Sequence, residues 1–221
     1  MFWNWQFVGQ IIPLLAKASV VTIVATLLGF LIAAFLGLAF ALGRLFGPKW
    51  IAVPLIGLIE GIRSTPLLIQ IFFIYFVLPE AGISIGAMTA GVLALGLHYA
   101  TYCSEVYRAG LANVPRGQWE ASLALNLPTW RTFRDVIIPQ AIPPVVPALG
   151  NYLVSLFKDT PLLSAIGVLE LLQTAKIIGS ENFRYTEPIT LVGLIFLVLS
   201  LLSAVIIGFI ERWLKRYVMR S

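Results

Sequence analysis

Apolar residues run along this chain in long blocks broken by short polar stretches. The longest uncharged block extends from Ala18 to Gly43, between Lys17 and Arg44. A membrane-spanning helix needs roughly 20 apolar residues, so this block predicts a span over 18–43. It is too long for the hydrophobic stretch of a secretory signal, and Met1 to Ala16 carries no basic side chain. Further blocks predict spans over 51–78 (interrupted by Glu60 and Arg63 and ending before Pro79), 85–107, 140–157 and 188–210. The less hydrophobic stretch 161–178 predicts a short or re-entrant helix at the outer surface. Gly82, Gly86, Gly91 and Gly96 in the third span, and Pro143, Pro144 and Pro147 in the fourth, predict close packing or bending. No internal repeat stands out. The expectation is an all-α membrane protein of about five transmembrane helices, with residues 1–221 forming one domain.

Composition agrees. Hydrophobic residues make up 59% of the chain and charged ones 11%, against about 25% charged in a soluble domain. Lipid tails accept apolar side chains on every helix face. The net charge of +5 does not point to nucleic acid, because the basic residues are scattered beside the apolar blocks. Five spans place Arg44, Lys49, Arg108, Arg116, Arg131, Arg134, Arg212, Lys215, Arg216 and Arg220 on one side and only Lys17, Lys176 and Arg184 on the other. The positive-inside rule makes the first side cytoplasmic, with the N-terminus outside and Trp3, Trp5 and Phe7 as an interfacial anchor. Cys103 and His98 are each the only residue of their kind, which excludes an intrachain disulfide and a cysteine metal site. Both read as packing residues.

The one long polar segment is the predicted cytoplasmic loop 111–138. Pro115 and Gly117 precede a short helical pattern in which Trp119 and Leu123 fall at i and i+4 and share a face. Ala121 and Ala124 permit close approach to another surface. Asn126 and Pro128 suit a helix that stops there, because asparagine tolerates the left-handed cap conformation better than any residue but glycine. A second helical pattern begins near Thr129 and feeds the fourth span. Such a loop is either an amphipathic interfacial segment or a docking knob.

Glu120-Ala121-Ser122, then Asn126, then Ile137-Ile138-Pro139 resembles the EAA loop of ABC importer permeases, with Ser122, Asn126 and Ile138 standing for Ala, Gly and Leu. Arg63 to Gln70, Glu105 to Gly110, Gly117 to Ala121, Pro139-Gln140-Ala141 and Lys158-Asp159-Thr160 resemble the polar amino acid uptake branch, over roughly 60–211. The nearest likeness, in 139–191, is to ectoine and hydroxyectoine permeases. Pro143 stands where that branch usually has Arg, and Pro161 where it has Ser, which points away from an ordinary amino acid. The resemblance implies a type I importer permease in the bacterial inner membrane. It implies a second permease subunit (identical or not), a dimer of ATPase subunits that binds ATP and magnesium, and an extracytoplasmic solute-binding protein. This chain has no G-x-x-x-x-G-K-[ST] motif and so no phosphate cradle; it needs no cofactor of its own and is not an enzyme. Gly117, Glu120, Ala121, Ser122 and Asn126 would carry the coupling to the ATPase.

Charges at membrane depth cost about 2.5–3.5 kcal/mol each and face a partner or a wet cavity. Glu60 and Arg63, at i and i+3, form either a packing ion pair or part of a solute path. Glu105 and Arg108 repeat that spacing near the inner end of the third span, where snorkelling is cheap. Asp159 and Thr160 near the outer leaflet, with Asn151 two turns earlier, form either a solute site for a zwitterion or a satisfied helix end. An ion-gradient-driven secondary transporter is the competing reading; it calls for discontinuous helices, midplane carboxylates and inverted repeats. An intramembrane enzyme lacks a nucleophile–base pair here.

Overall fold

The computed structural model describes residues 3–218, with side chains described through Leu214. Arg220 lies outside the described residues, as do the side chains of Lys215 and Arg216. The first helix, α1 (Trp5–Phe46), is 42 residues long, about 63 Å at 1.5 Å per residue. It starts well before the expected position 18. A single lysine at position 17 can snorkel rather than end a helix, and the helix continues back to Asn4, whose side chain accepts from the Gln6 and Phe7 amides. Lys17 therefore lies within α1, not at its flank.

The predicted second span is not one helix. It divides into α2 (Lys49–Arg63) and α3 (Leu67–Phe72), the latter prolonged by a π turn (Phe73–Val77) and a 3-10 turn (Leu78–Ala81). The two arms bend by 105°. Pro66 bars the preceding residue from helical conformation, and Gln70 stabilises the break. Its Nε2 donates to the Ile62 carbonyl at 2.7 Å and to the Thr65 carbonyl at 3.1 Å. Carbonyls released by a break at membrane depth need such partners.

Helix α4 (Ala87–Ala112) is the centre of the molecule and packs most extensively on α1. On α1, Ala25, Gly29, Ala33, Gly37 and Ala41 recur every fourth residue and are all buried, the small-residue seam that lets membrane helices approach closely. A Cβ on Gly37 would stand 2.6 Å from Cys103 Cβ and 2.8 Å from the Ala100 carbonyl oxygen. Gly96 and Gly91 of α4 are likewise closed off, by Ile32 and Leu163. Gly82 and Gly86 are not packing positions, since nothing lies within 4 Å of a Cβ there; Gly82 instead closes the preceding turn at φ +82°.

The loop 111–138 contains α5 (Arg116–Ala124), a single turn α6 (Thr129–Arg131) and a π turn (Thr132–Ile137) that runs directly into α7 (Ile138–Asp159). Helix α7 passes through Pro143, Pro144 and Pro147 and ends two residues before Pro161. The expected outer helix 161–178 is displaced: Thr160–Ile166 forms a 3-10 turn closed by Gly167 at φ +78°, and α8 is Leu171–Asn182. Glu170 starts α8 by accepting from the Leu172 and Gln173 amides at 2.9 and 2.7 Å. Helix α9 (Thr186–Val218) completes the fold. Among the described residues, three helical stretches are long and apolar enough to cross a bilayer, 5–46, 129–166 and 186–214, or four if the bent pair is one span. Helix α4 is long enough, about 39 Å, but as an interior helix it trades lipid-facing residues for polar ones.

Candidate functional site

One polar constellation gathers inside the helices, at the bend between α2 and α3, on one stripe of α4 and at the end of α7. His98, Tyr102 and Glu105 follow i, i+4, i+7 on α4 and so share a face, with Tyr99 beside them. The Tyr99 hydroxyl donates to Asp159 Oδ2 at 2.6 Å. Tyr99 is midway along α4, so Asp159, at the end of α7, is held against the middle of that helix. His98 Nδ1 lies 3.2 Å from Gln70 Oε1. Gln70 uses its amide nitrogen on the bend, which leaves its oxygen to accept from the imidazole. Tyr152 of α7 adds a third phenol, its ring 5.5 Å from Tyr102 and 6.3 Å from Tyr99.

Arg63, at the end of α2, has its guanidinium 5.2 Å from the centre of the Tyr102 ring. It also lies 3.5 Å from Glu60 and 3.9 Å from Glu105. The expected Glu60–Arg63 pair is thus present but shared. Glu105 is more than the local partner of Arg108: it accepts from Arg108 Nε and Nη2 at 2.9 and 2.7 Å and from Arg44 of α1. One carboxylate thereby ties α1, α2 and α4 together. Arg44 is 15% exposed, and a buried cation whose partner is removed costs several kcal/mol.

Two other expected path residues do not join this cluster. Thr160 is fully buried and its hydroxyl donates to the Phe157 carbonyl at 2.7 Å. Asn151 is exposed, and it stands eight residues from Asp159, about 80° round the helix at 100° per residue. Tyr152, seven residues away, is only about 20° off and shares the face of Asp159. The sequence reasoning missed Tyr99, Tyr102, Tyr152 and Gln70 and left His98 as packing. The polar stripe 98–102–105 is the signal that marks part of this set.

The second constellation is the helix α5 and its turn. Gly117, Glu120 and Ala121 are exposed, and Ser122 is buried with its hydroxyl on the Gln118 carbonyl at 2.8 Å. Asn126 adopts φ +50°, the left-handed cap the sequence predicts. The Asn126 amide bonds the Leu123 carbonyl at 2.9 Å and the Leu127 amide bonds the Ser122 carbonyl at 3.0 Å, the paired bonds of a Schellman cap. Trp119 and Leu123 do not act as one face: Trp119 packs on Phe133, ring centres 5.3 Å apart, whereas Leu123 is 77% exposed. Leu125 and Trp130 are exposed as well. A large apolar surface rimmed by polar residues outside the lipid-facing blocks marks an interaction site.

The chain break and the charges at depth are also what a secondary carrier calls for, so these features alone do not separate the two transport classes. Similarity to known proteins does. Residues 33–216 match the family model of the binding-protein-dependent transport system inner membrane component. The chain is 48% identical over 205 residues to a probable amino-acid ABC transporter permease, y4tG, of Sinorhizobium fredii, covering 93% of this chain and 89% of that one. It is 36% identical over 219 residues to the glutamine transport system permease GlnP of Escherichia coli, covering 97% and 99%. Its fold is similar to a crystal structure of an amino acid ABC transporter with histidines, with TM-score 0.91, 36% identity and 96% and 99% coverage. The methionine transporter MetNI shares the fold at TM-score 0.73, 23% identity and 93% and 98% coverage.

Proposed function

Since this chain belongs to the family of binding-protein-dependent transport system inner membrane components, we propose that it is the permease of an ATP-driven importer of a polar amino acid. It is a transport subunit, not an enzyme, and ATP with its magnesium belongs to a separate ATPase. Two such permease subunits, identical or not, enclose the solute path, with the N-terminus outside and the C-terminus in the cytoplasm. A solute-binding protein delivers the cargo from the outer side.

The observation that carries the reading is a physical connection. Helix α5 docks through Trp119 onto Phe133, and Phe133 belongs to the helical run 129–159 that ends at Asp159. A displacement of α5 by the ATPase therefore acts on the same rod that carries the interior carboxylate. Gly117, Glu120 and Ala121 form the contact surface toward the ATPase, while Ser122 and Asn126 shape it.

In the interior, Asp159 faces the ammonium of the solute and Arg63 its carboxylate, with Glu60 setting how tightly Arg63 is held. The three tyrosines form the walls. Asn151 on α7 and Thr160 in the turn that follows it flank this site. A specific ground exists for ectoine as a second reading: phenol rings around a carboxylate suit a compact delocalised cation through cation–π attraction.

The test is uptake of labelled polar amino acids and of ectoine by cells expressing all subunits. Glu120→Lys abolishes uptake while leaving membrane insertion intact, and Asp159→Asn raises KM for the transported solute. Normal uptake by Glu120→Lys, or uptake that persists without ATP, sinks the proposal in favour of an ion-gradient carrier.

A further inference from the structure

A groove of about 520 Å³ opens between the end of α1 and the start of α7, at the same end of the molecule as α5. This volume lies within the range of small-molecule clefts, about 300–1,000 Å³. Leu38, Leu42 and Phe46, at i, i+4 and i+8 on α1, form one wall; Phe133, Ile142 and Val145 form the other. The lining is apolar, and Leu42, Phe46 and Ile142 are 44%, 58% and 41% exposed. Within a bilayer such a groove is filled by hydrocarbon, and what turns passing occupancy into a binding site is the chemistry of its rim.

The chain on either side of two of its aromatic walls is cationic. Phe133 stands between Arg131 and Arg134 in the chain, and its ring lies 5.5 Å from that of Phe46. Arg131 and Arg134 both lean on the exposed Trp130, their guanidinium carbons 5.4 and 5.9 Å from the ring centre. Lys49 follows three residues after Phe46. Against these three cations stands Asp135, 3.7 Å from Arg134 Nε. Arginine beside tryptophan at a membrane boundary is suited to an anionic headgroup, with the indole at headgroup depth.

We propose that this groove is a binding site for one anionic phospholipid, an acyl chain lying between α1 and α7 and the phosphate on Arg131 and Arg134. The lipid then bears on coupling. Phe133 is at once a wall of the groove and the surface on which Trp119 of α5 packs, so the occupied groove holds the docking helix in place.

The experiment is native mass spectrometry of the intact transporter, permease with ATPase, from mixed micelles of phosphatidylglycerol and phosphatidylcholine. The wild type retains phosphatidylglycerol over phosphatidylcholine by about tenfold. Arg131→Gln with Arg134→Gln brings that preference close to one, while the double lysine variant keeps it. Ile142→Trp, which fills the groove, lowers retention of both lipids. No preference in the wild type overturns the proposal, as does an undiminished one in the double glutamine variant. Unchanged retention in Ile142→Trp overturns it in favour of a phosphate site without a chain. Loss of the ATPase from the double glutamine variant with lipid retention intact overturns it in favour of a protein-docking rim.

Discussion

Asn126 is the residue on which the docking helix turns, and substitution there gives a graded test. The position holds φ +50°, a conformation that costs an ordinary L-residue about 1–2 kcal/mol and glycine almost nothing. The turn returns two hydrogen bonds, from the Asn126 and Leu127 amides to the Leu123 and Ser122 carbonyls, each worth about 0.5–1.5 kcal/mol net. Asn126→Gly should therefore leave the turn intact. Asn126→Ala should cost about 1 kcal/mol, and Asn126→Val more, because a branched side chain fits the left-handed region worst. A cost of 1.4 kcal/mol is about tenfold in an equilibrium. If the ATPase recognises only the formed turn, its affinity for the permease falls in the order Gly, Ala, Val, by about tenfold for Val. The assay is binding of purified ATPase subunits to the permease in lipid nanodiscs, with uptake measured in parallel. Equal affinity for the glycine and valine variants would refute the reasoning, since it would mean that α5 docks without its left-handed cap.

Other positions give independent checks. Gly37→Ala places a methyl 2.6 Å from Cys103 Cβ and 2.8 Å from a backbone oxygen, so overpacking of about 1–3 kcal/mol should lower the thermal midpoint in detergent. Gly57→Ala, with nothing within 4 Å, should leave it unchanged or raise it; the reverse order would count against the α1–α4 seam. Tyr99→Phe removes the hydrogen bond to Asp159, worth about 1.5–3 kcal/mol for a charged acceptor. Solute KM should shift by about tenfold with expression unchanged, and an unaltered KM would separate Asp159 from the solute. Burial raises the Glu170 carboxyl above its ordinary value, against the Leu172 and Gln173 amides and Lys176, which lower it. The protonated form is thus favoured by the fold, and its contribution is complete below about pH 4.3, the ordinary glutamate value, and lost as pH rises through the raised value. Heat stability should fall as pH is raised above the ordinary glutamate value, and Glu170→Gln should flatten that slope; a parallel slope in the variant would remove Glu170 as its source.

Much of this protein is legible from local pattern. Apolar blocks mark a membrane chain because the hydrocarbon core demands about 20 such residues per crossing. The left-handed turn is readable because its requirement falls on one residue, Asn126, between a short helix and Pro128. The Glu60–Arg63 and Glu105–Arg108 contacts are readable because i, i+3 spacing fixes them on one helix face. Boundaries were less legible where a side chain can compensate. Lys17 looks like a flank but snorkels, and the break before Pro66 looks like one span until Gln70 is seen bonding its carbonyls.

The sequence by itself determined the class of molecule, the rough order of its helices and the existence of a formed polar loop, since each rests on interactions between near neighbours. Only the tertiary structure decided which residues meet. Tyr99 and Asp159 are 60 positions apart, and Arg44 and Glu105 are 61; no periodicity encodes such pairings. Helix periodicity puts Tyr152, not Asn151, on the face of Asp159, but only tertiary packing set its ring against Tyr99 and Tyr102 of α4 and buried Thr160. The reason is that helix pattern fixes a residue's angle about its own axis, while the depth and neighbour it meets depend on how small-residue seams such as 25–29–33–37–41 let the helices close together.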